Sequence, residues 1–325
     1  MKRREFITLI GGAAATWPLA ARAQQAAMPV IGYLGAGSSE SDAVRLTAIR
    51  RGLSDTGFVE GRNVAIEYRW AQDQYDRLPA LAAELVRRQP AVLVAAPTPV
   101  AMVAKAATRT VPTVFFTGGD PVALGLVTSL SRPGGNVTGV TILSVEVGQK
   151  LLELLHESVP AANVIALLVN PANPLAETQS KDAQAAASTL GLQLRVLHAS
   201  TELELQTAFD TLVQLRAALV IGADPFFTGR TDQLAALALR HGVPSIYNLR
   251  EFAMAGGLMS YGGNLAEAYR LVGVYAARIL KGEKVSELSV QQSTKVEMII
   301  NLKTARALGL TIPLPLLARA DEVIE

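Results

Sequence analysis

A regular alternation of short apolar segments with alanine- and leucine-rich segments, beginning near Met28, most constrains the fold of this chain. The short segments have the length and β-branched content of strands, whereas the longer ones repeat apolar residues at helical spacing. Such alternation is typical of βαβ units, in which helices cover a parallel sheet. The sequence therefore predicts an α/β fold.

The alternation runs through the chain twice. The first series begins with a predicted strand at 29–34 and ends at the break Gly134-Gly135-Asn136; the second follows a strand at 137–142. A last strand and helix, 257–261 and 264–281, are too short for a third domain. Two similar doubly wound parallel-sheet lobes are expected, with a cleft between them that can enclose a small ligand.

The first 23 residues have the pattern of a twin-arginine export signal. Arg3-Arg4 precedes an apolar run, and Ala21-Arg22-Ala23 is a small-residue cleavage site. The apolar run is shorter than the roughly 20 residues needed to span a bilayer. We therefore predict cleavage after Ala23 and a mature protein in the periplasm.

Composition excludes several classes of function. Without residues 1–23, the 30 basic and 28 acidic side chains fall to 26 and 27, so the mature chain is nearly neutral and no nucleic-acid partner is predicted. The absence of cysteine removes thiol catalysis, disulfides and a lipoprotein anchor. The three histidines, His156, His198 and His241, have no metal-ligand spacing, so no metal site is predicted.

The loops that follow the predicted strands carry the candidate ligand groups. Gly35-Ala36-Gly37 resembles the start of a dinucleotide-binding motif, but Glu40 replaces its third glycine, so no cofactor is predicted. Ser38 and Ser39 could instead offer hydroxyls to a ligand. Asp120 and Asp224, each before a proline, could cap a turn or contact a ligand.

Several longer motifs resemble the ABC transporter substrate-binding protein family, whose members have a type I periplasmic binding fold and include tryptophan-binding relatives. The motifs are Ile31–Leu34, Gly57–Val64, Asp120–Val122, Arg132–Val140, Ile279–Gly282 and Asn301–Ala305. The run Pro133-Gly134-Gly135-Asn136-Val137-Thr138-Gly139 is the most specific of them. The resemblance covers essentially the whole mature chain.

The resemblance implies a three-crossing hinge, with an N-terminal lobe of 29–141 plus 262–283 and a C-terminal lobe of 142–261 plus 284–325. It implies a monomer that delivers a small ligand to an ABC permease in the inner membrane. It also implies ligand contacts from Ser38, Ser39, Thr98, Asp120, Asn170, Asn173, Asp224, Phe226, Tyr247 and Tyr261.

The ligand and the role of the protein stay open at this stage. Asn170-Pro171-Ala172-Asn173-Pro174 and Asn264 stand where amino-acid-binding relatives tend to have more charged residues, so an amino acid and an aromatic or other organic acid both fit. The alternatives to transport are a sensory ligand-binding module and an enzyme on the same two lobes that uses Asp120 or Asp224.

Overall fold

The structure is a computed structural model that describes residues 28–325 except residues 143, 145, 146 and 294. The predicted export signal, residues 1–23, lies outside the described residues. Within the described range, the strands form two sheets, each covered by helices on both faces. The predicted α/β fold with two sheets dominated by parallel pairs is confirmed.

The first sheet has the strand order β11-β5-β4-β3-β1-β2, and all its pairs are parallel. Its inner strands β3 and β4 are buried along their whole length, because helices cover both faces. Its strands are β1 (Val30–Gly35), β2 (Ala65–Trp70), β3 (Val92–Ala96), β4 (Thr113–Thr117), β5 (Val137–Thr141) and β11 (Gln291–Gln292).

The second sheet has the order β13-β12-β10-β9-β8-β6-β7. Its pairs are parallel except for β10 with β12, where the chain returns antiparallel. Its strands are β6 (Val164–Val169), β7 (Gln193–His198), β8 (Ala218–Ile221), β9 (Ser245–Tyr247), β10 (Met259–Gly263), β12 (Val296–Asn301) and β13 (Glu322–Ile324). We call the units built on the two sheets the first and second lobes.

The helices connect successive strands, as the alternation predicts. They are α1 (Ala43–Asp55), α2 (Leu78–Arg87), α3 (Thr98–Ala107), α4 (Gly148–Ser158), α5 (Ala176–Thr189), α6 (Glu202–Leu215), α7 (Pro225–Thr228), α8 (Thr231–Arg240), α9 (Arg250–Met254), α10 (Leu265–Leu280), α11 (Leu302–Ala307) and α12 (Leu314–Leu317). A 3₁₀ turn, Tyr75–Arg77, precedes α2 and belongs to a loop of the site.

Helix α10 returns from the second sheet and packs on α1 of the first lobe through two glycines. A Cβ at Gly52 would lie 1.9 Å from the carbonyl oxygen of Arg270, and one at Gly273 would lie 2.1 Å from that of Ile49. Only residues without a side chain allow the two helix backbones to approach this closely. The contact joins a late segment of the chain to the core of the first lobe.

The sheet pairing sets where the chain passes between the lobes. Gly262 and Gly263 belong to β10, because they pair with Glu297 and Val296 of the second sheet. Residues 284–292 stay beside the first sheet, where β11 pairs with β5. The last two crossings therefore lie between β10 and α10, two residues later than the predicted bound 261/262, and between β11 and β12, at least nine residues later than the predicted bound 283/284.

No helix in the described part of the chain combines the length and the hydropathy of a membrane-spanning segment.

Candidate functional site

The cleft between the lobes contains two adjoining cavities at the carboxyl ends of the strands. The first, which we call the inner cavity, has a volume of about 50 Å³ and is lined by loops that follow β3, β4 and β5 of one sheet and β6, β8 and β9 of the other. The second, the vestibule, has a volume of about 430 Å³. The two share the lining residues Arg45, Thr228, Leu249 and Leu265.

Three of the ten predicted ligand residues line the inner cavity: Thr98, Asn173 and Asp224. Their polar atoms already have partners within the protein. The Thr98 hydroxyl lies 2.9 Å from that of Thr117 and accepts the backbone N–H of Gly118 at 3.1 Å. Thr98 therefore fixes the loops of the first lobe at the cavity, and its contact with a ligand stays a prediction.

Asp224 is the most heavily hydrogen-bonded of the predicted residues. Its carboxylate accepts from the side-chain amides of Asn170 and Asn173 at 3.0 and 2.7 Å, and from the backbone N–H of Phe226 at 2.8 Å. Tyr75 of the first lobe donates its hydroxyl to both oxygens at 3.2 Å. The carboxylate both caps α7 and joins the two lobes.

Burial raises the pKa of Asp224 to about 6, because desolvation of the charged carboxylate outweighs the hydrogen bonds that favour it. The side chain is only 4% exposed. Asp224 therefore titrates between its ordinary pKa and neutral pH.

The other predicted residues lie around the cavities without lining them. Ser38 donates to the carboxylate of Glu40 at 2.9 Å, and Ser39 is exposed. Asp120 is exposed and accepts the backbone N–H of Val122 at 2.8 Å, which is the turn-capping role allowed by the sequence.

The predicted aromatic residues of the second lobe are mainly packing residues. Phe226 and Tyr247 belong to a buried core cluster, and the Tyr247 hydroxyl lies 3.2 Å from that of Thr228. Tyr261 packs on a different core cluster of the second lobe. Contact of these residues with a ligand stays a prediction.

Arg45 of α1 is the main cationic group of the site, and its side chain is buried against both cavities. One guanidinium nitrogen forms an ion pair with Asp42, which also accepts the Tyr33 hydroxyl at 2.9 Å. Desolvation opposes its charge, but Tyr269 and Asp42 raise the pKa of Arg45 above its ordinary value. No other described residue forms a hydrogen bond with this guanidinium, so nitrogen donors remain available.

Four buried oxygens of the second lobe have no hydrogen-bond partner among the residues that the structure describes: Ser245 Oγ, Asn248 Oδ1, Glu251 Oε2 and Ser260 Oγ. Asn248 follows β9, is 5% exposed and lines the inner cavity. Glu251, on α9, lines the vestibule. A buried acceptor without a donor is costly and is therefore uncommon in folded proteins.

The remaining walls of the inner cavity are largely apolar. Phe116 and Tyr269 of the first lobe lie with ring centroids 4.5 Å apart, and Ile142, Leu175 and Leu265 complete the wall. Apolar walls with a few polar groups are typical of small-molecule sites.

Sequence reasoning missed Arg45, Asn248 and Glu251. A charged residue in a helix usually lies on the solvated face, so nothing in the pattern distinguishes Arg45 or Glu251. Asn248 directly follows β9, and a polar residue at the carboxyl end of a strand is a signal that could have found it.

Contacts between the lobes close the cleft on one side. Arg230 of the second lobe binds Asp73 of the first at 2.8 Å and Glu202 of its own lobe at 2.5 Å. A Cβ at Gly119 of the first lobe would lie 2.8 Å from the side chain of Leu175. The lobes thus touch at several points beside the inner cavity.

Within the described ranges, no group of three or more histidine, cysteine or acidic residues could hold a metal ion.

Residues 38–324 match the family described as ABC transporter substrate binding protein. A curated relative, a tyrosine-binding protein of Clostridioides difficile, is 27% identical over 261 residues, which are 80% of this chain and 75% of that protein.

Solved structures give a consistent comparison. A conserved domain protein of Vibrio cholerae is 28% identical with a TM-score of 0.81, and an ABC domain in complex with L-Trp from Streptococcus pneumoniae is 24% identical with the same score. A ligand-free, open structure of a substrate binding protein from Clostridium difficile is 26% identical but has a TM-score of 0.62. All three comparisons cover 91% of this chain and 99% of the other.

Proposed function

Because the chain belongs to the ABC transporter substrate binding protein family, we propose that it is a receptor that encloses a small carboxylate between its lobes and presents it to a membrane permease. The ligand enters an open cleft, contacts both lobes and shifts the hinge equilibrium toward the closed form. Binding without chemical change is all that this function requires.

One observation carries the proposal: the buried Arg45 guanidinium, with unused donors, lines both cavities of the cleft. Arginine binds carboxylates through parallel N–H donors, and such charge-assisted hydrogen bonds are stronger than neutral ones. Asp42 fixes one side of the guanidinium, so the group is oriented before a ligand arrives.

The apolar wall around Phe116 and Tyr269 favours a ligand with an aromatic or other apolar group. The tyrosine named for the Clostridioides difficile relative is a ligand of that kind. We therefore place an aromatic amino acid or aromatic organic acid first among the ligands to be tested.

Ligand entry requires the lobes to separate. The inner cavity, at about 50 Å³, has a third of the volume of an engineered protein cavity, roughly 150 Å³, that binds benzene. The lobe–lobe contacts and the higher similarity to a ligand complex than to an open structure support a closed arrangement here.

The positions of Asp120 and Asp224 give little support to the alternative that the protein is an enzyme. Asp224 accepts hydrogen bonds from both lobes, whereas Asp120 is exposed at a turn and does not line the inner cavity. A catalytic pair would need both groups within reach of one substrate.

The cellular setting belongs to the same proposal. Residues 1–23 supply the export pattern, the mature protein acts as a monomer in the periplasm, and the ABC permease of the inner membrane is its partner.

Isothermal titration with L-tyrosine, L-tryptophan and the aromatic amines tyramine and tryptamine tests the proposal. We expect an amino acid to bind, the amines that lack a carboxylate to fail, and Arg45→Gln to weaken binding by about 10-fold or more. Arg45→Lys, which keeps the charge beside Asp42, should weaken it less.

Arg51→Gln is the matched control, because Arg51 is an exposed arginine of the same helix. Amines that bind as tightly as amino acids, or unchanged affinity in Arg45→Gln, would contradict a carboxylate site at Arg45.

A further inference from the structure

Tyr269, on α10, has a hydroxyl group that forms no hydrogen bond with any residue that the structure describes. The side chain is only 1% exposed and lines the inner cavity. The other tyrosines near the site differ, since the hydroxyls of Tyr33, Tyr75 and Tyr247 each have a partner in the protein. A buried tyrosine hydroxyl usually has such a partner, so Tyr269 offers an unused donor at the cavity.

The Tyr269 ring lies beside Arg45, the cation of the proposed carboxylate site. The guanidinium carbon of Arg45 is 6.0 Å from the centre of the ring, and Phe116 packs on the ring with centroids 4.5 Å apart. One helical turn further along, Gly273 of α10 packs against the Ile49 carbonyl of α1. This contact between the two helix backbones keeps both side chains together, and both reach the inner cavity from the first lobe.

The protein supplies no free acceptor for the hydroxyl proton in its described part. Burial raises the pKa of Tyr269 above its ordinary value of 10, because desolvation disfavours the phenolate, so the proton stays in place at neutral pH. Arg45 has only donors, and Asp42 is occupied by Arg45 and by Tyr33. Asp224, the acid among the described residues that line the cavity, already accepts from four groups.

We infer that the Tyr269 hydroxyl donates a hydrogen bond to the ligand carboxylate that Arg45 binds, so that two residues of the first lobe hold this group. The inference rests on the proposed function and identifies a second residue that determines its specificity. A carboxylate has two oxygens with about four acceptor positions, which leaves room for a hydroxyl beside the guanidinium.

The contact favours acids over neutral compounds of the same shape. A hydrogen bond to a charged oxygen is stronger than one between neutral groups, so an amide or ester at this position would gain less from Tyr269. Because the hydroxyl has no partner in the described part of the chain, no bond within the protein must break to form the new one. The hydrogen bond therefore adds to the affinity for a carboxylate.

Titration calorimetry of Tyr269→Phe, which removes only the hydroxyl, tests the inference. The probes are L-tyrosine, L-tryptophan, L-phenylalanine and 3-(4-hydroxyphenyl)propionate, which share a carboxylate and an aromatic ring but differ in the polar group of the ring and in the amino group. We expect Tyr269→Phe to weaken every probe that binds the unchanged protein by the same factor, about 5- to 10-fold. A loss confined to the probes with an amino group, or to those with a polar ring, would place the hydroxyl at another part of the ligand and overturn the inference.

Tyr275→Phe is the matched control. Tyr275 lies on the same helix, but its hydroxyl donates to the carbonyl oxygen of Ser289 at 2.6 Å, outside both cavities. Circular dichroism melting without ligand should separate the two variants: Tyr275→Phe lowers the melting temperature and keeps the affinity, whereas Tyr269→Phe melts no lower than the unchanged protein.

Two results would overturn the inference and leave the carboxylate site at Arg45 in place, provided that Arg45→Gln still weakens binding. One is unchanged affinity in Tyr269→Phe. The other is a melting temperature lowered as in Tyr275→Phe, which would show that the hydroxyl has a partner within the protein. Failure of all four probes to bind the unchanged protein would overturn both proposals.

Discussion

At the scale of single residues, Asp224 couples the charge of the site to contact between the lobes. Its carboxylate is buried at the cleft and receives donors from Asn170 and Asn173 of its own lobe and from Tyr75 of the other. The amides orient the carboxylate, while Tyr75 reaches it across the cleft. A change in its protonation therefore acts on a contact between the lobes.

The raised pKa of Asp224, about 6 against an ordinary 3.8, predicts a pH dependence of stability. Between these values the folded protein holds a proton that the unfolded chain has released, so the contribution of Asp224 is greatest at low pH and is lost as pH rises through about 6. From pH 4 to 7 the free energy of unfolding should fall by up to about 3 kcal/mol relative to Asp224→Asn. Urea unfolding at several pH values measures this difference.

Asp120→Asn is the control for this measurement, since Asp120 occupies the comparable loop of the first lobe but is exposed. Its unfolding free energy should follow that of the unchanged protein at every pH. Parallel pH profiles of the unchanged protein and Asp224→Asn would show that Asp224 does not titrate in this range.

The sequence locates the site better than it assigns the roles within it. The loop after a strand that contains Asp224, and the family resemblance that adds Thr98 and Asn173, select three residues that line the inner cavity. The pattern cannot show that their polar atoms are used within the protein, because those partners lie on distant loops. Arg45 was missed since its orientation depends on how α1 packs, which no periodicity encodes.

At the scale of elements, α1 and α10 pack so closely that glycine is needed at the contact. Gly52 and Gly273 each lie against the backbone of the other helix. Because the obstacle is a backbone carbonyl and not the end of a flexible side chain, an added methyl group cannot be accommodated by a change of rotamer.

Gly273→Ala should therefore destabilise the protein by about 1–3 kcal/mol, even though alanine is the better helix former. Urea unfolding measures the change. Gly148→Ala is the control, because a Cβ at Gly148, also within a helix, meets nothing within 4 Å. A Gly273→Ala variant as stable as this control would contradict the tight contact.

The order of the elements follows from the alternation for most of the chain, up to α10. Beyond it, β11 is followed by β12 with no helix between them, although β12, α11, α12 and β13 form one more βαβ unit. β12 pairs antiparallel with β10, and β11 reaches back to the first sheet. Such pairings depend on the path of the chain between lobes, and periodicity within a segment contains no information on that path.

At the scale of the whole molecule, two polar contacts between the lobes lie close together on one side of the cleft. Asp73 binds Arg230, and Tyr75, two residues later, donates to Asp224. Asp73 and its neighbour Gln72 have φ angles of 60° and 57°, and their N–H groups donate to the carbonyls of Ala36 and Gly37. The loop is thereby fixed to the first lobe while its side chains reach the second.

Breaking these contacts should favour the open form. We expect Asp73→Asn combined with Tyr75→Phe to weaken ligand binding by roughly 5-fold or more, since each lost hydrogen bond is worth about 1 kcal/mol. Small-angle scattering should show a larger radius of gyration for the double variant without ligand. Arg278→Gln, which breaks an ion pair with Glu283 within one lobe, should change neither quantity. Unaltered affinity and radius in the double variant would mean that these contacts do not control closure.

The return of α10 and β11 to the first lobe has a consequence for the order of events during synthesis. The apolar surface that α10 covers on the first sheet remains exposed to solvent until the ribosome has synthesised residue 280, near the C-terminal end of the chain. The first lobe therefore cannot complete its fold before most of the second lobe has left the ribosome. A chain interrupted at residue 141 should aggregate instead of accumulating as half of a receptor.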